Sequence, residues 1–198
     1  MQTTLTFIRH GQTDWNAAGI VQGAADVPLN ATGIEQAYRK APFFKDEQYD
    51  LAFSSPLTRA KQTLAIICAT NNFSCEQICD PRLVERTFGH AEGHHVHLIR
   101  SMRVSMQEPI GFETDAVLEA RVFDFMEECR VKSARKNIII TAHSHVLKAA
   151  LIAVDSDTFS YQTALDNLAI ITIIYDHALE KWFISNAEIG ISIDRIKI

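Results

Sequence analysis

Two histidines and two arginines of this 198-residue sequence could bind and transfer a phosphoryl group: His10, His143, Arg9 and Arg59. The arginines carry planar guanidinium groups that match phosphate or carboxylate oxygens in pairs. A histidine held between arginines is biased towards its neutral, nucleophilic form, because like charges oppose its protonation. These residue types predict phosphoryl transfer to a histidine, with the arginines holding the non-bridging oxygens.

Such a transfer also needs a proton donor for the leaving oxygen. The segment RLVERTFGHAEG at 82–93 offers Glu85 and, as a second candidate, Glu92. A glutamate that is partly buried near a phosphate would have a raised pKa and could be protonated at neutral pH. The residue types alone do not choose between the two carboxyl groups.

Apolar runs that predict strands end next to several of these polar residues. The runs are TTLTFI at 3–8, LAFSS at 51–55 and NIIITA at 137–142. Because strands alternate with helical patterns, we expect a three-layer α/β/α fold with a mostly parallel central sheet. Ligands bind at the carboxyl ends of such strands, so Arg9, His10 and His143 should meet at one edge.

The segments between these strands carry helical periodicity. Ser55 is a suitable N-cap, with Pro56 at the first position of a helix that includes Arg59. Thr32 lies near another predicted N-cap. Helix N-termini after Ser55 and after His143 would add backbone N–H donors for an anion. The predicted helices lie within 31–46, 55–70, 113–133 and 145–154, and further strands lie within 75–80, 167–176 and 180–188.

Composition limits the class of protein. Hydrophobic residues make up 47%, charged residues 22%, and the net charge is −5, which is typical of a globular chain and argues against a nucleic-acid surface. No apolar run approaches the ~20 residues of a membrane span, and the N-terminus lacks a basic region with a cleavage site. We therefore expect one cytoplasmic domain over residues 1–198, without membrane contact.

Metal binding is an alternative that the sequence raises only weakly. The histidines of HxxxHHxH could ligate zinc or copper, but no Cys or Asp cluster of fixed spacing accompanies them. We interpret this segment as a polar loop and the cysteines as reduced thiols. The residues concerned are His90, His94, His95, His97, Cys68, Cys75, Cys79 and Cys129.

RHGQTDWN at 9–16 resembles the signature of the histidine phosphatase superfamily, which includes cofactor-dependent phosphoglycerate mutases. The resemblance spans most of the chain in the family's order, through VQGAADVPLNATGIEQA (21–37), SSPLTRAKQTL (54–64), RLVERTFGHAEG (82–93) and IITAHSHVLKA (139–149). It implies that His10 is phosphorylated and that Glu85 is the general acid. It places Arg9, Arg59 and His143 in the phosphate pocket.

The resemblance further implies that Asn16, Gln22 and Gly23 line the substrate side, and that no metal or cofactor is needed. Ser144 stands where the family commonly has glycine, so it could contact substrate and narrow the pocket. His145 would then face solvent or reach an anionic group of the substrate.

Water or a substrate hydroxyl could take the phosphoryl group from His10, giving a phosphatase or a mutase. Mutases of this family typically carry a longer insertion after the glutamate motif and an extended C-terminal tail. Only residues 94–136 separate that motif from NIIITAH, which favours a phosphatase of small phosphorylated metabolites. A mutase and a non-catalytic phospho-ligand-binding module remain alternatives, and a homodimer is compatible with the sequence.

Two arginines and five phenylalanines are predicted to have structural rather than catalytic roles. Arg100 and Arg103 are interpreted as part of a solvated helix face, although they could reach an acidic substrate. The phenylalanines Phe7, Phe43, Phe53, Phe123 and Phe125 are predicted to lie in the core.

Overall fold

The computed structural model describes residues 1–97 and 109–189. The described strands are β1 (Gln2–Arg9), β2 (Leu51–Ser54), β3 (Gln77–Cys79), β4 (Asn137–Ala142), β5 (Ile170–Asp176) and β6 (Lys181–Ala187). The described α-helices are α1 (Asp14–Ala17), α2 (Ala31–Lys40), α3 (Thr58–Asn71), α4 (Asp115–Lys132) and α5 (Ser144–Val154). Short 3-10 helices occupy Ala41–Phe44, Pro81–Leu83 and Gly89–Ala91.

The strands of the described ranges form one sheet in the order β3-β2-β4-β1-β5-β6. β1, β2, β3 and β4 run parallel to one another, whereas β5 pairs antiparallel with both β1 and β6. The predicted α/β fold with a mostly parallel sheet is confirmed. Arg9 is paired with Ala142 across the β1–β4 ladder. His10 and His143, which directly follow these two strands, therefore lie side by side at the edge of the sheet.

Helices cover both faces of the sheet because strand side chains alternate between them. Leu5 and Phe7 of β1 pack into a cluster with residues of α4 and α5, including Leu118 and Leu147. Ile8, which points the other way, packs with residues of α3 on the opposite face. The long β-branched run in β4 is buried on both faces, as expected for a central parallel strand.

The starts of α2 and α3 can be compared with the sequence prediction. α2 is capped by Asn30, whose side chain accepts a hydrogen bond from Gly33 N, so Thr32 lies near the cap as predicted. α3 begins at Thr58 and not directly after Ser55, which differs from the prediction. Its first N–H is bound by the carboxylate of Asp26, at 2.7 Å, and Asp26 also accepts a bond from the Thr58 hydroxyl at 2.8 Å.

Phe43 and Phe123 are not core residues. They are 59% and 43% exposed, respectively. Phe43 belongs to the 3-10 turn around Pro42 that follows α2, and Phe123 lies on the outer face of α4. Phe7 and Phe125 are buried as predicted, and Phe53 is half-buried.

Two further expectations concern membrane-spanning helices and the cysteines in the described part of the chain. Its helices include none with the length and apolar character needed to cross a membrane. The four cysteines are free thiols: Cys68, Cys75, Cys79 and Cys129.

Candidate active site

A cavity of about 390 Å³ opens at the carboxyl edge of the sheet. It brings together most of the residues singled out from the sequence, contributed by segments that lie far apart in the chain. His143 is buried directly beside it, with its ring centroid 5.1 Å from that of His10. The cavity is lined by Arg9, His10, Asn16, Ile20, Val21, Gln22, Gly23, Arg59, Glu85, Phe88, Val96, Ser144, His145, Lys148 and Tyr161.

The hydrogen bonds of His10 define which ring nitrogen is reactive. Its Nδ1 lies 2.6 Å from the carbonyl oxygen of Gly11. A carbonyl can only accept, so Nδ1 carries the proton and Nε2 keeps its lone pair. Burial, the neighbouring His143 imidazole, and the positive charges of Arg9 and Arg59 hold the pKa of His10 well below its usual range. His10 is therefore a neutral imidazole with a basic nitrogen available for bond formation.

His143 has the opposite orientation of donor and acceptor. Arg59 Nε donates to its Nδ1 at 3.3 Å, which places the imidazole proton on Nε2. Burial lowers the pKa of His143 to about 3, with the charge of Arg59 acting in the same direction. The Nε2 atom is buried without a hydrogen-bond partner among the described residues, so His143 offers one unused donor beside His10.

Arg59 is fully buried and joins His143 to the loop at 23–25. Its Nη1 donates to Ala25 O at 2.7 Å and its Nη2 donates to Gly23 O at 2.8 Å. A guanidinium group has five N–H donors, so these bonds and the one to His143 leave two for an anion. Burial lowers the pKa of Arg59 to about 10, so the side chain stays charged at neutral pH.

Arg9 supplies further positive charge at the end of β1. Its Nη1 donates to the carbonyl of Leu165, while its Nε is buried without a partner in the described ranges. Burial lowers the pKa of Arg9, and the nearby charges of Glu85 and Asp166 raise it in part. Arg9 and His143 thus each hold a buried N–H group whose partner would have to be a ligand or water.

Glu85 lines the cavity, and the raised pKa predicted for a glutamate beside a phosphate stays a prediction. Without a phosphate, burial raises the pKa of Glu85, but the hydrogen bonds to its carboxylate and the nearby His145 and His143 outweigh burial and hold the pKa well below its ordinary value. Its Oε1 accepts from Arg86 N at 3.0 Å and from His145 N at 3.2 Å. Without substrate, Glu85 is therefore a carboxylate, and it becomes a proton donor only if a proton arrives with the substrate.

Glu92, the other candidate acid, has a structural position. Its Oε1 accepts from Phe88 N at 2.9 Å and from Ala24 N at 3.2 Å, and it does not line the cavity. A Cβ on Gly23 would lie 2.1 Å from the same oxygen, and Gly23 has a φ of +53°. Glycine is thus required at position 23 for both backbone conformation and close packing.

One backbone N–H at each of the two predicted helix starts already has a side-chain acceptor. Thr58 N at the start of α3 is bound by Asp26, and His145 N at the start of α5 is bound by Glu85. The sequence could not reveal this, because both acceptors come from distant segments. The other N–H groups of each first turn stay predicted donors for an anion.

The predicted substrate-binding residues all line the cavity. Asn16 Oδ1 accepts from Thr13 N at 3.2 Å, and Gln22 Oε1 accepts from the Thr13 hydroxyl at 2.9 Å. With both amide oxygens bound to donors, the NH₂ groups of Asn16 and Gln22 are the parts left to contact a ligand. Ser144 is half-buried at the first position of α5.

Part of the cavity wall consists of residues that the sequence motifs did not predict. The Tyr161 and His145 rings lie nearly parallel with centroids 5.7 Å apart, and Lys148 Nζ donates to Tyr161 O at 2.9 Å. Arg86, fully buried, lies 4.2 Å from the centroid of the Tyr161 ring. The spacing of Ser144 and Lys148 by one helical turn was a usable signal, whereas nothing in the sequence around Tyr161 indicated its place.

The histidine-rich segment shows no metal-like arrangement where it is described. Residues 1–97 and 109–189 contain no group of three or more potential metal ligands. His95 and His97 stack with centroids 4.6 Å apart, and His90, His94, His95 and His97 are exposed. Arg100 and Arg103 lie outside the described residues.

Comparisons with known proteins identify relatives of this chain and proteins with the same fold. The family profile described as "Histidine phosphatase superfamily (branch 1)" matches residues 5–186. The "Uncharacterized phosphatase PhoE" of Bacillus subtilis is 32% identical, over 95% of both chains. A "2,3-bisphosphoglycerate-dependent phosphoglycerate mutase" of Rhizobium rhizogenes is 32% identical, over 88% of this chain and 90% of that one. A phosphoserine phosphatase structure from Entamoeba histolytica, 25% identical, superposes with a TM-score of 0.80, over 94% of this chain and 96% of that one.

Proposed function

Since the chain belongs to the histidine phosphatase superfamily, whose related enzymes here are phosphatases and phosphoglycerate mutases, we propose that it hydrolyses small phosphomonoesters through a phosphohistidine at His10. The observation that carries the proposal is one juxtaposition. An unprotonated, buried imidazole nitrogen lies beside buried N–H donors on Arg9 and His143 that lack a partner in the described part of the chain.

In the first step, His10 Nε2 attacks phosphorus and the bond from phosphorus to the leaving oxygen breaks. Charge on the non-bridging oxygens is held by Arg9, Arg59 and the Nε2–H of His143. Because these donors are fixed before substrate arrives, little reorganisation accompanies the transfer.

The leaving oxygen needs a proton, which Glu85 delivers. Its carboxylate is ionised in the free protein, so the productive complex takes its proton from a singly protonated phosphomonoester. The approaching phosphate charge raises the pKa of Glu85 in that complex. In the second step, water attacks phosphorus while Glu85 accepts its proton, and the bond from phosphorus to His10 Nε2 breaks. Inorganic phosphate leaves, and Glu85 then releases the proton.

Hydrolysis is favoured over transfer of the phosphoryl group to a second substrate hydroxyl. The reason is the connection between Gly93 and β4, residues 94–136, which is shorter than the insertion expected of a mutase. A mutase must exclude water from its phosphoenzyme by covering the site. The mutase function is kept as the second candidate because a mutase is among the relatives that match most of the chain.

The test is a hydrolysis screen over phosphorylated metabolites, including phosphoserine and 3-phosphoglycerate, with His10→Ala as the control. We expect phosphate release that depends on His10 and a labelled phosphoenzyme that survives alkali but not acid. Hydrolysis unaffected by His10→Ala would refute the mechanism. Conversion of 3- to 2-phosphoglycerate that needs a bisphosphate primer would establish the mutase instead, and ligand binding without turnover would establish a binding module.

A further inference from the structure

The segment 165–169, which leads into β5, surrounds the backbone of Arg9 and His10. Leu168 N donates to Arg9 O at 3.1 Å, and Arg9 N donates to Ala169 O at 3.0 Å. Within the same segment, the carbonyl of Leu165 accepts the Arg9 side chain. These bonds attach the segment to the end of β1.

Asn167 makes the contact that matters for the nucleophile. Its Nδ2 donates to the carbonyl oxygen of His10 at 2.9 Å. On the other side of the same peptide group, Gly11 N donates to the Thr63 hydroxyl at 3.1 Å. The peptide plane between residues 10 and 11 is therefore held at both its oxygen and its nitrogen by side chains from two distant segments.

Rotation of this peptide plane would move the reactive ring. The His10 ring is oriented by its Nδ1–H bond to Gly11 O, only one peptide further along. A change in the tilt of the plane would shift that acceptor and carry Nε2 off the line of attack. Since a misplacement of about 1 Å can lower a rate by about 100-fold, holding the plane bears directly on catalysis.

The backbone next to Asn167 indicates that its placement is enforced. Leu168 has a φ of +60°, a left-handed conformation that is unfavourable for a leucine. Its side chain is nonetheless buried in the core, 5% exposed, and its N–H is bound to Arg9 O. Such a conformation persists where the surroundings require it, and it often occurs at functional sites.

Asn167 also influences a residue of the cavity wall. Its Nδ2 lies 3.4 Å from Asn16 Oδ1, which already accepts from Thr13 N. Two donors on one side fix the Asn16 amide with its NH₂ group turned away from them. Asn167 thereby connects the nucleophile with a predicted substrate-binding residue.

From these contacts we infer that Asn167 is a positioning residue, which aligns His10 Nε2 for attack by fixing the peptide plane between residues 10 and 11. The inference rests on the proposed phosphohistidine mechanism. Asn167 itself does not line the cavity and does not touch the reacting atoms.

The experiment compares Asn167→Ala and Asn167→Asp with wild type, using p-nitrophenyl phosphate as substrate and vanadate and inorganic phosphate as inhibitors. Vanadate mimics the five-coordinate transition state and needs an aligned nucleophile, whereas phosphate needs only the pocket. We expect kcat to fall about 10-fold for Asn167→Ala, with the vanadate inhibition constant rising by a similar factor and that of phosphate by less than about threefold. Asn167→Asp, which turns an acceptor towards two oxygens, should fall further.

Thr163→Ala is the matched control, because its hydroxyl accepts only from Ser160 N in the bonds described and touches neither Arg9 nor His10. All rates are taken per folded molecule, with thermal unfolding measured for each variant. Asn167 variants that behave like Thr163→Ala, or that weaken vanadate and phosphate by equal factors, would overturn the inference. Wild type that resists vanadate, or hydrolysis that survives His10→Ala, would instead overturn the proposed function, so the two failures are distinct.

Discussion

Replacing Gly23 by alanine tests whether the phosphate pocket depends on close packing behind it. The new Cβ would lie 2.1 Å from Glu92 Oε1, and the backbone φ of +53° would be strained for any L-residue with a side chain. The strain costs about 1 kcal/mol. The Glu92 carboxylate can swing away, but it then gives up its bonds to Ala24 N and Phe88 N, a loss of about 2 kcal/mol for a half-exposed group.

Together these effects predict that Gly23→Ala lowers the free energy of unfolding by about 3 kcal/mol, or Tm by about 9 °C. Gly93→Ala is a matched control, since Gly93 has a φ of +80° but its Cβ would meet only Trp15, at 3.7 Å. That variant should lose about 1 kcal/mol, or about 3 °C. Activity should fall in Gly23→Ala because Gly23 O binds Arg59.

The measurement is thermal and urea unfolding of both variants, each also made in a Glu92→Ala background. Without the carboxylate, Gly23→Ala should cost only the strain of about 1 kcal/mol. The reasoning is refuted if Gly23→Ala is no more destabilising than Gly93→Ala, or if removing Glu92 leaves its cost unchanged.

Three further outcomes follow from the site. Glu85→Gln should lower kcat/KM, which reports the steps up to phosphoenzyme formation, by about 10²–10³-fold on alkyl phosphates but much less on p-nitrophenyl phosphate, whose leaving group needs no proton. Equal losses of kcat/KM on both substrates would exclude Glu85 as the acid. Glu85 is ionised in the free protein, so the proton must come with the substrate. We therefore expect kcat/KM to decline as pH rises above about 6, the second pKa of a phosphomonoester. A profile of kcat/KM that stays flat to pH 8 would contradict this. The pKa of His143 is lowered from 6.5 to about 3, so the unfolded chain binds the extra proton between these values, and this group should lower stability by about 1 kcal/mol per pH unit as pH drops below 6.5. In urea unfolding, His143→Gln should make the pH dependence shallower by that amount without abolishing it, because the pKa values of His10 and His145 are lowered as well.

The fold was predictable because its signals are local. β-branched runs such as 137–142 and the helical periodicity between them define the α/β alternation, and the carboxyl ends of parallel strands share an edge. The meeting of His10 and His143 followed from that rule alone. Phe43 and Phe123 were wrongly placed in the core because residue type does not show which face of a helix or turn a side chain occupies.

The features of the site that the sequence did not show depend on contacts between distant segments. The pKa of Glu85 depends on His145 N, 60 residues later, and the cap of α3 depends on Asp26, 32 residues earlier than Thr58. Nothing in a local pattern reveals either bond. For the same reason Glu85 and Glu92 could not be ranked from the sequence, although only Glu85 reaches the cavity.

The cap that Asp26 places on α3 has a consequence for folding. The first N–H of this helix finds its acceptor only after the loop at 23–26 has docked, and the same loop uses its carbonyls to bind Arg59 one residue further on. Helix start and loop therefore form a single cooperative unit that opens together. Amide hydrogen exchange should show Thr58 and its neighbours exchanging in concert. Asp26→Ala, which changes no residue that lines the cavity, should speed exchange throughout that unit.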